Sequence, residues 1–147
     1  MQVFQAISRT IIMSMLVFFT APLSFGQFQS NPFDMQASMV RGETVYMAHC
    51  ATCHQKNGEG IEGVYPPLAK SDYLMAEKKR IIRQLMEGAA GEMTVNGIAY
   101  YGVMPAFALH DGEIVDVLNY IRNSWGNHGE AVLPDEVKKE RAQKTEP

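Results

Sequence analysis

Two cysteines and a histidine stand together in the segment Cys50-Ala51-Thr52-Cys53-His54. On a helical turn, residues three and four apart lie on one face, so both thiols and the imidazole can reach the same bound group. A Cys-x-x-Cys-His segment is the pattern that attaches a c-type haem, whose two vinyl groups react with the sulfurs. We therefore predict one covalent haem c at Cys50 and Cys53, with His54 as an axial ligand of the iron.

Other chemistry is open to the two cysteines, which are the only ones in the chain. A disulfide would be the ordinary expectation in an exported protein. A thioredoxin-like redox pair requires a strand–helix–strand context, whereas this pair ends a predicted helix. A zinc site requires a second pair of ligands, and His110 and His128 do not have zinc-finger spacing. The histidine that directly follows the second cysteine therefore favours haem.

Met104 is the candidate for the second axial ligand. It lies in the segment Tyr101-Gly102-Val103-Met104-Pro105-Ala106-Phe107, where Gly102 and Pro105 favour an extended loop that can aim one side chain inward. Thioether ligation stabilises the reduced iron relative to ligation by two histidines. Because the chain has ten methionines and methionine often fills gaps in a core, Met104 could instead only pack. Three other methionines are weaker candidates by position: Met75, Met86 and Met93.

The elements that would position these residues are indicated by helical spacing, caps and turn residues. Ser38 is a possible N-cap of a helix that runs into Cys50, and Asn96-Gly97 predicts a hairpin turn. The expected elements are, in chain order, a helix over 38–50, a loop rich in glycine and proline over 56–67, a short helix capped by Ser71, a helix over 77–87, a hairpin or tight loop over 94–100, a helix over 111–124 and one further exposed helix over 134–142.

The order of these features resembles class I cytochrome c over residues 38–126. The resemblance is carried by the first helix with Gly42 and Tyr46, the haem motif, Pro66-Pro67-Leu68, the Met-Pro loop and the aromatic last helix. It implies an all-α fold in which the first and last helices cross, with a small hairpin or loop before the axial methionine. In that fold Gly42 would be the contact between the two helices, and Tyr46 and Tyr120 would pack beside it.

The resemblance also implies a partner for His54. A proline carbonyl after the haem motif would accept a hydrogen bond from the imidazole and orient its ring. By position that proline is Pro66, with Pro67 as the alternative, and Leu68 would pack on the haem. The start of the last helix departs from the expected pattern, because His110 stands where Ser or Thr would cap it, and Asp111 could cap in its place.

The N-terminus predicts export. Arg9 precedes an apolar run over 11–19, and Ser24-Phe25-Gly26 offers small residues for a signal peptidase. The alternative is an uncleaved membrane anchor, although Pro22 interrupts the run and it is shorter than the roughly 20 residues of a spanning helix. We therefore predict a signal peptide over 1–26, a flexible lead-in over 27–37, a cytochrome c domain over 38–126 and a charged tail over 127–147, with a periplasmic location and no membrane span in the mature chain.

Composition limits the function. The net charge of −3, which becomes −4 when Arg9 is removed, gives no excess of basic residues for nucleic acid. The prediction is an electron carrier between a redox protein donor and acceptor, and no enzyme by itself. The sequence around 65–71 and 95–105 is similar to that of bacterial cytochromes that serve oxidases, dehydrogenases and copper nitrite reductases. Two alternatives are a fixed electron-input subunit of a larger oxidoreductase and a five-coordinate haem enzyme or sensor.

Overall fold

A computed structural model describes residues 33–144, so the predicted signal peptide and most of the lead-in lie outside the described residues. Within that range the chain forms six helices and one two-stranded sheet. In chain order they are α1 (Met35–His49), α2 (Ala51–His54), α3 (Asp72–Ala76), α4 (Lys78–Glu87), β1 (Ala89–Val95), β2 (Ile98–Met104), α5 (Asp111–Ile121) and α6 (Pro134–Lys144). None of the helices between residues 33 and 144 combines the length and the apolar character that a membrane crossing requires.

Helix α1 begins at Met35, three residues before the predicted start at Ser38. The side chain of Asp34 accepts a hydrogen bond from the backbone N–H of Ala37 at 2.9 Å, so Asp34 is the N-cap. Ser38 lies inside the helix, fully buried, and its hydroxyl donates to Asp116 on α5 at 2.7 Å. Part of the segment predicted to be a flexible lead-in is therefore helical, because Asp34 caps the helix one turn earlier while Ser38 is used in the contact with α5.

Helices α1 and α5 cross at Gly42, as the resemblance implies. A Cβ atom at this glycine would lie 1.9 Å from the backbone oxygen of Asp116, so no side chain fits between the two helices. Tyr46 is fully buried beside the crossing, with its ring centroid 5.6 Å from that of Tyr120 and 4.9 Å from that of Trp125. Tyr120 and Trp125 are half-buried, so the crossing packs three aromatic rings in one cluster around the buried Tyr46.

Of the two N-caps predicted for the later helices, one is observed and the other is not. Ser71 caps α3 as predicted, accepting from the backbone N–H of Leu74 at 3.2 Å. His110, rather than Asp111, occupies the N-cap of α5, and its backbone N–H donates to the carboxylate of Glu113 at 2.8 Å. Because the glutamate satisfies that N–H, the helix can begin without Ser or Thr at the cap.

The Asn-Gly turn forms a hairpin that is longer than predicted. Strands β1 and β2 are antiparallel, with Val95 opposite Ile98 across the turn and Ala89 opposite Met104 at the far end. Met104 is thus the last residue of a strand rather than part of a free loop. The fold is helical with this small sheet, in agreement with the predicted hairpin before the methionine.

Residues 128–144 pack against the helices of the domain. Val132 and Val137 are fully buried, and α6 packs against α4 and α5. Charged pairs fasten it there: Lys78 to Glu136 at 2.7 Å, Arg83 to Glu140 at 2.6 Å, and Arg141 to Asp111. The helix predicted over 134–142 is present as α6, but it is only partly exposed, because Val137 and Glu140 are buried against the neighbouring helices. Its packing depends on long-range ion pairs, which leave no periodic pattern in the sequence.

Candidate haem site

One cavity of about 280 Å³ collects the residues that the sequence singled out. Its walls come from the end of α1, from α2, from the loop after α2, and from α4, α5 and the hairpin. All six predicted site residues line it: Cys50, Cys53, His54, Pro66, Leu68 and Met104. His110 and His128, which the zinc alternative would use, do not line it.

The cysteine motif forms a wound turn at one end of the cavity. Cys50 is the last residue before α2, and its carbonyl accepts from the backbone N–H groups of Cys53 at 3.2 Å and His54 at 2.9 Å. Neither cysteine is in a disulfide, and Cys50 is 8% exposed. Burial and the nearby Cys53 raise the pKa of the Cys50 thiol to about 11, so it is protonated at neutral pH. The turn presents both sulfurs and the imidazole to the same space.

The ring of His54 is oriented by the loop that follows α2. Its Nδ1 lies 2.9 Å from the carbonyl oxygen of Pro66, so between the two prolines the structure places Pro66 at this position. Because a carbonyl only accepts, Nδ1 carries the proton and Nε2 has a free lone pair. Burial lowers the pKa of His54 below its ordinary value, which keeps the imidazole neutral at pH 7. The side chain is therefore in the form that binds a metal.

Met104 lines the same cavity as the cysteine motif and comes from a different element, the end of β2. Its half-buried sulfur accepts a hydrogen bond from the side-chain amide of Gln84 at 3.7 Å. Of the alternative methionines within the described residues, Met93 also lines the cavity, in the middle of β1. Met86 is buried in the core and, like Met75, does not line the cavity.

The donor set and the walls fit a haem. Two thiols suit two vinyl groups, and an imidazole nitrogen with a thioether sulfur forms an axial pair known for c-type haem. The other walls are largely apolar, with contributions from Leu74, Ile81, Leu85, Phe107, Val117, Leu118 and Ile121. Among residues 33–144, no three His, Cys, Asp or Glu side chains group closely enough to hold a metal ion by themselves.

Gln84 is the site residue that sequence reasoning missed. It lines the cavity from α4 beside the apolar Ile81 and Leu85. The available signal was its position, because residues 81, 84 and 85 share one face of a helix and a polar residue interrupts that face. Its partner could not be read from the sequence, since Met104 is 20 residues away.

Comparisons with known proteins identify the family of the chain. A family model for cytochrome c matches residues 39–125. Cytochrome c-552 of Thermus thermophilus is 43% identical over 116 residues, which cover 72% of this chain and 88% of that protein. The alcohol dehydrogenase (quinone) cytochrome c subunit of Gluconobacter oxydans is 30% identical over 89 residues, which cover 59% of this chain and 19% of the subunit.

A further relative is the gluconate 2-dehydrogenase cytochrome c subunit of Pantoea cypripedii. It is 33% identical over 97 residues, which cover 63% of this chain and 22% of that subunit. The chain therefore spans about a fifth of the dehydrogenase subunits that it matches, and most of the Thermus cytochrome. The family implies a covalently bound haem c. With the family match over more than half of its length, this chain belongs to the cytochrome c family, as a class I c-type cytochrome.

Proposed function

We propose that the chain is an exported electron carrier that passes single electrons through one haem c. Cys50 and Cys53 would attach the haem, and His54 and Met104 would be its axial ligands. The observation that carries the proposal is the apolar cavity that the Cys-x-x-Cys-His turn and Met104 both line. Export to the periplasm rests on the basic and apolar N-terminus, which would be removed to leave Gln27 first.

The protein groups have separate roles in this proposal. A bound haem supplies a one-electron couple, while the chain holds it, orients its ligands and keeps water away. The Pro66 carbonyl fixes the His54 ring so that Nε2 is the nitrogen available to a metal. The apolar side chains of α4 and α5 exclude water from the cavity, and a low-polarity environment raises the potential of the couple. With both His54 and Met104 as iron ligands, no ligand position would remain open for a substrate, which is the arrangement of a carrier.

Replacement of Met104 by leucine tests the ligation directly. We expect the weak red charge-transfer band of methionine-ligated ferric haem to be present in the native protein and to disappear completely in Met104→Leu. The ferrous variant should bind carbon monoxide, which the native protein should not, because leucine has no atom that can ligate. Leucine is used since it conserves volume and so limits packing effects. Optical spectra of both oxidation states measure these changes.

Met93→Leu is the matched control, because Met93 lines the same cavity. This variant should keep the red band and should not bind carbon monoxide. Loss of the band in Met93→Leu with its retention in Met104→Leu would show that the wrong methionine has been assigned. A native protein that is high-spin and binds carbon monoxide readily would contradict the carrier function and support the five-coordinate enzyme or sensor.

A second candidate function, a fixed subunit of a dehydrogenase, is favoured by the similarity to cytochrome c subunits of such enzymes. The shuttle is supported by the match over 88% of the Thermus cytochrome. We expect the protein to elute alone in gel filtration of cell extract at physiological salt, since transient redox complexes held by surface charges are weakened by screening. Co-elution with an oxidoreductase under these conditions would instead establish the subunit.

A further inference from the structure

Gln84 occupies an unusual place for a polar side chain. Of the three described α4 residues that line the cavity, Ile81 and Leu85 are apolar and Gln84 carries an amide. That amide is directed at the sulfur of Met104, with an Nε2–Sδ distance of 3.7 Å, within the range of a hydrogen bond to sulfur. A thioether is only a weak acceptor, so this contact brings little to folding. Its position beside the candidate ligand suggests another role.

Backbone contacts hold Gln84 and Met104 in a fixed relation. The backbone N–H of Phe107 donates to the carbonyl of Leu85 at 3.0 Å, which ties the segment after Met104 to α4. Gly88, at a φ of 78°, ends α4 so closely against this segment that a Cβ atom would lie 2.6 Å from the Met104 carbonyl oxygen. Because the helix and the methionine segment meet at two points directly after Gln84, at Leu85 and at Gly88, the amide stays within reach of the sulfur.

We propose that Gln84 is a positioning residue that tunes the Met104 ligand, by donating a hydrogen bond to its sulfur. The inference rests on the proposed ligation by Met104. A thioether sulfur has two lone pairs, and the amide uses one of them while the other stays available to a metal. The hydrogen bond fixes the conformation of a flexible side chain and withdraws electron density from the sulfur. A sulfur that gives less electron density to the iron stabilises the ferric state less. The hydrogen bond from Gln84 therefore raises the reduction potential.

The test compares the reduction potentials of haem-loaded wild-type protein, Gln84→Leu and Gln84→Ala. Both variants lack the donor, but leucine fills the space of the glutamine and alanine leaves it empty. Since a net hydrogen bond to a weak acceptor changes an equilibrium by about threefold, each variant should favour the ferric state by about that factor. For a one-electron couple at 59 mV per tenfold, the potential should fall by about 30 mV in both variants.

Gln36→Leu is the matched control, because Gln36 lies exposed on α1 and does not line the cavity. Its potential should equal that of the wild type. An unchanged potential in Gln84→Leu, or a fall only in Gln84→Ala, would assign Gln84 to packing and overturn the inference. Either of these two results leaves the red band of the wild type unchanged, so the proposed ligation by Met104 would still hold. Absence of that band in the wild type overturns the ligation and the role of Gln84 together.

Discussion

Replacement of Gly42 by alanine is expected to lower the free energy of unfolding by about 3 kcal/mol, at the upper end of overpacking effects. The added Cβ would lie 1.9 Å from the carbonyl oxygen of Asp116 and 2.8 Å from Cβ of Tyr120. The nearest obstacle is backbone, which cannot move aside as a side chain would, so α1 and α5 must separate. Separation would also loosen the packing of Tyr46. Thermal and denaturant unfolding, followed by circular dichroism, measure the loss.

The direction of this effect is informative because helix propensity predicts the opposite. Alanine favours a helix interior over glycine by about 1 kcal/mol. Gly112→Ala is the matched control, since Gly112 lies in α5 and a Cβ there would meet nothing within 4 Å. That variant should be as stable as the wild type or slightly more stable. Equal stability of Gly42→Ala and Gly112→Ala would contradict the close crossing of the two helices.

The second large effect is expected at Asn119, which is fully buried on α5. Its side chain donates to the Val132 carbonyl at 3.0 Å and to the Ser38 hydroxyl at 3.1 Å, and it accepts from the Val132 N–H at 2.7 Å. Asn119→Ala would leave both backbone groups of buried Val132 without a partner. At about 1–3 kcal/mol for each unsatisfied buried group, we expect a loss of about 3 kcal/mol in the free energy of unfolding.

Asn119→Ala should also release the C-terminal segment locally. Val132 is one of the points at which this segment is held before α6, beside Gly129 and Ala131, so its release should speed proteolytic cleavage around residues 129–144 more than cleavage elsewhere. Limited proteolysis with mass spectrometry locates the cuts. Asn57→Ala, in the exposed loop after α2, is the control and should change neither stability nor cleavage. Uniform cleavage along the chain in Asn119→Ala would contradict a local fastening role.

The parts of the fold that the sequence predicts are those encoded by neighbouring residues. The Cys-x-x-Cys-His turn depends on a spacing of a few residues, and the Asn96-Gly97 turn on two, so the structure has the turns where the patterns place them. The predicted start of a helix was less accurate where two residues could each serve as its N-cap. Asp34 and Ser38 are both good N-caps, and the longer helix prevails because the buried Ser38 hydroxyl finds a partner on α5.

The features that the sequence does not predict depend on partners far along the chain. Helix α6 lacks an apolar stripe, and its attachment to α4 and α5 depends on pairs such as Arg83 with Glu140, which are 57 residues apart. Gln84 and Asn119 look like ordinary polar residues within helices until the structure shows Met104 and Val132 beside them. The haem motif was sufficient to predict the cofactor, but the side chains that adjust the site required the fold.

The crossing of α1 and α5 has a consequence for the order of folding. Its contacts join residues as far apart as Arg41 and Asp116, which are 75 positions apart and linked by hydrogen bonds at 2.6 and 2.8 Å. Closing such a long loop costs chain entropy before any contact between the two helices is formed to offset that cost. The crossing is therefore expected to form late and slowly. The cysteine turn lies within that loop, and Cys50 becomes buried only when the walls assemble. Both thiols are therefore most accessible to a reacting partner while the chain is still open.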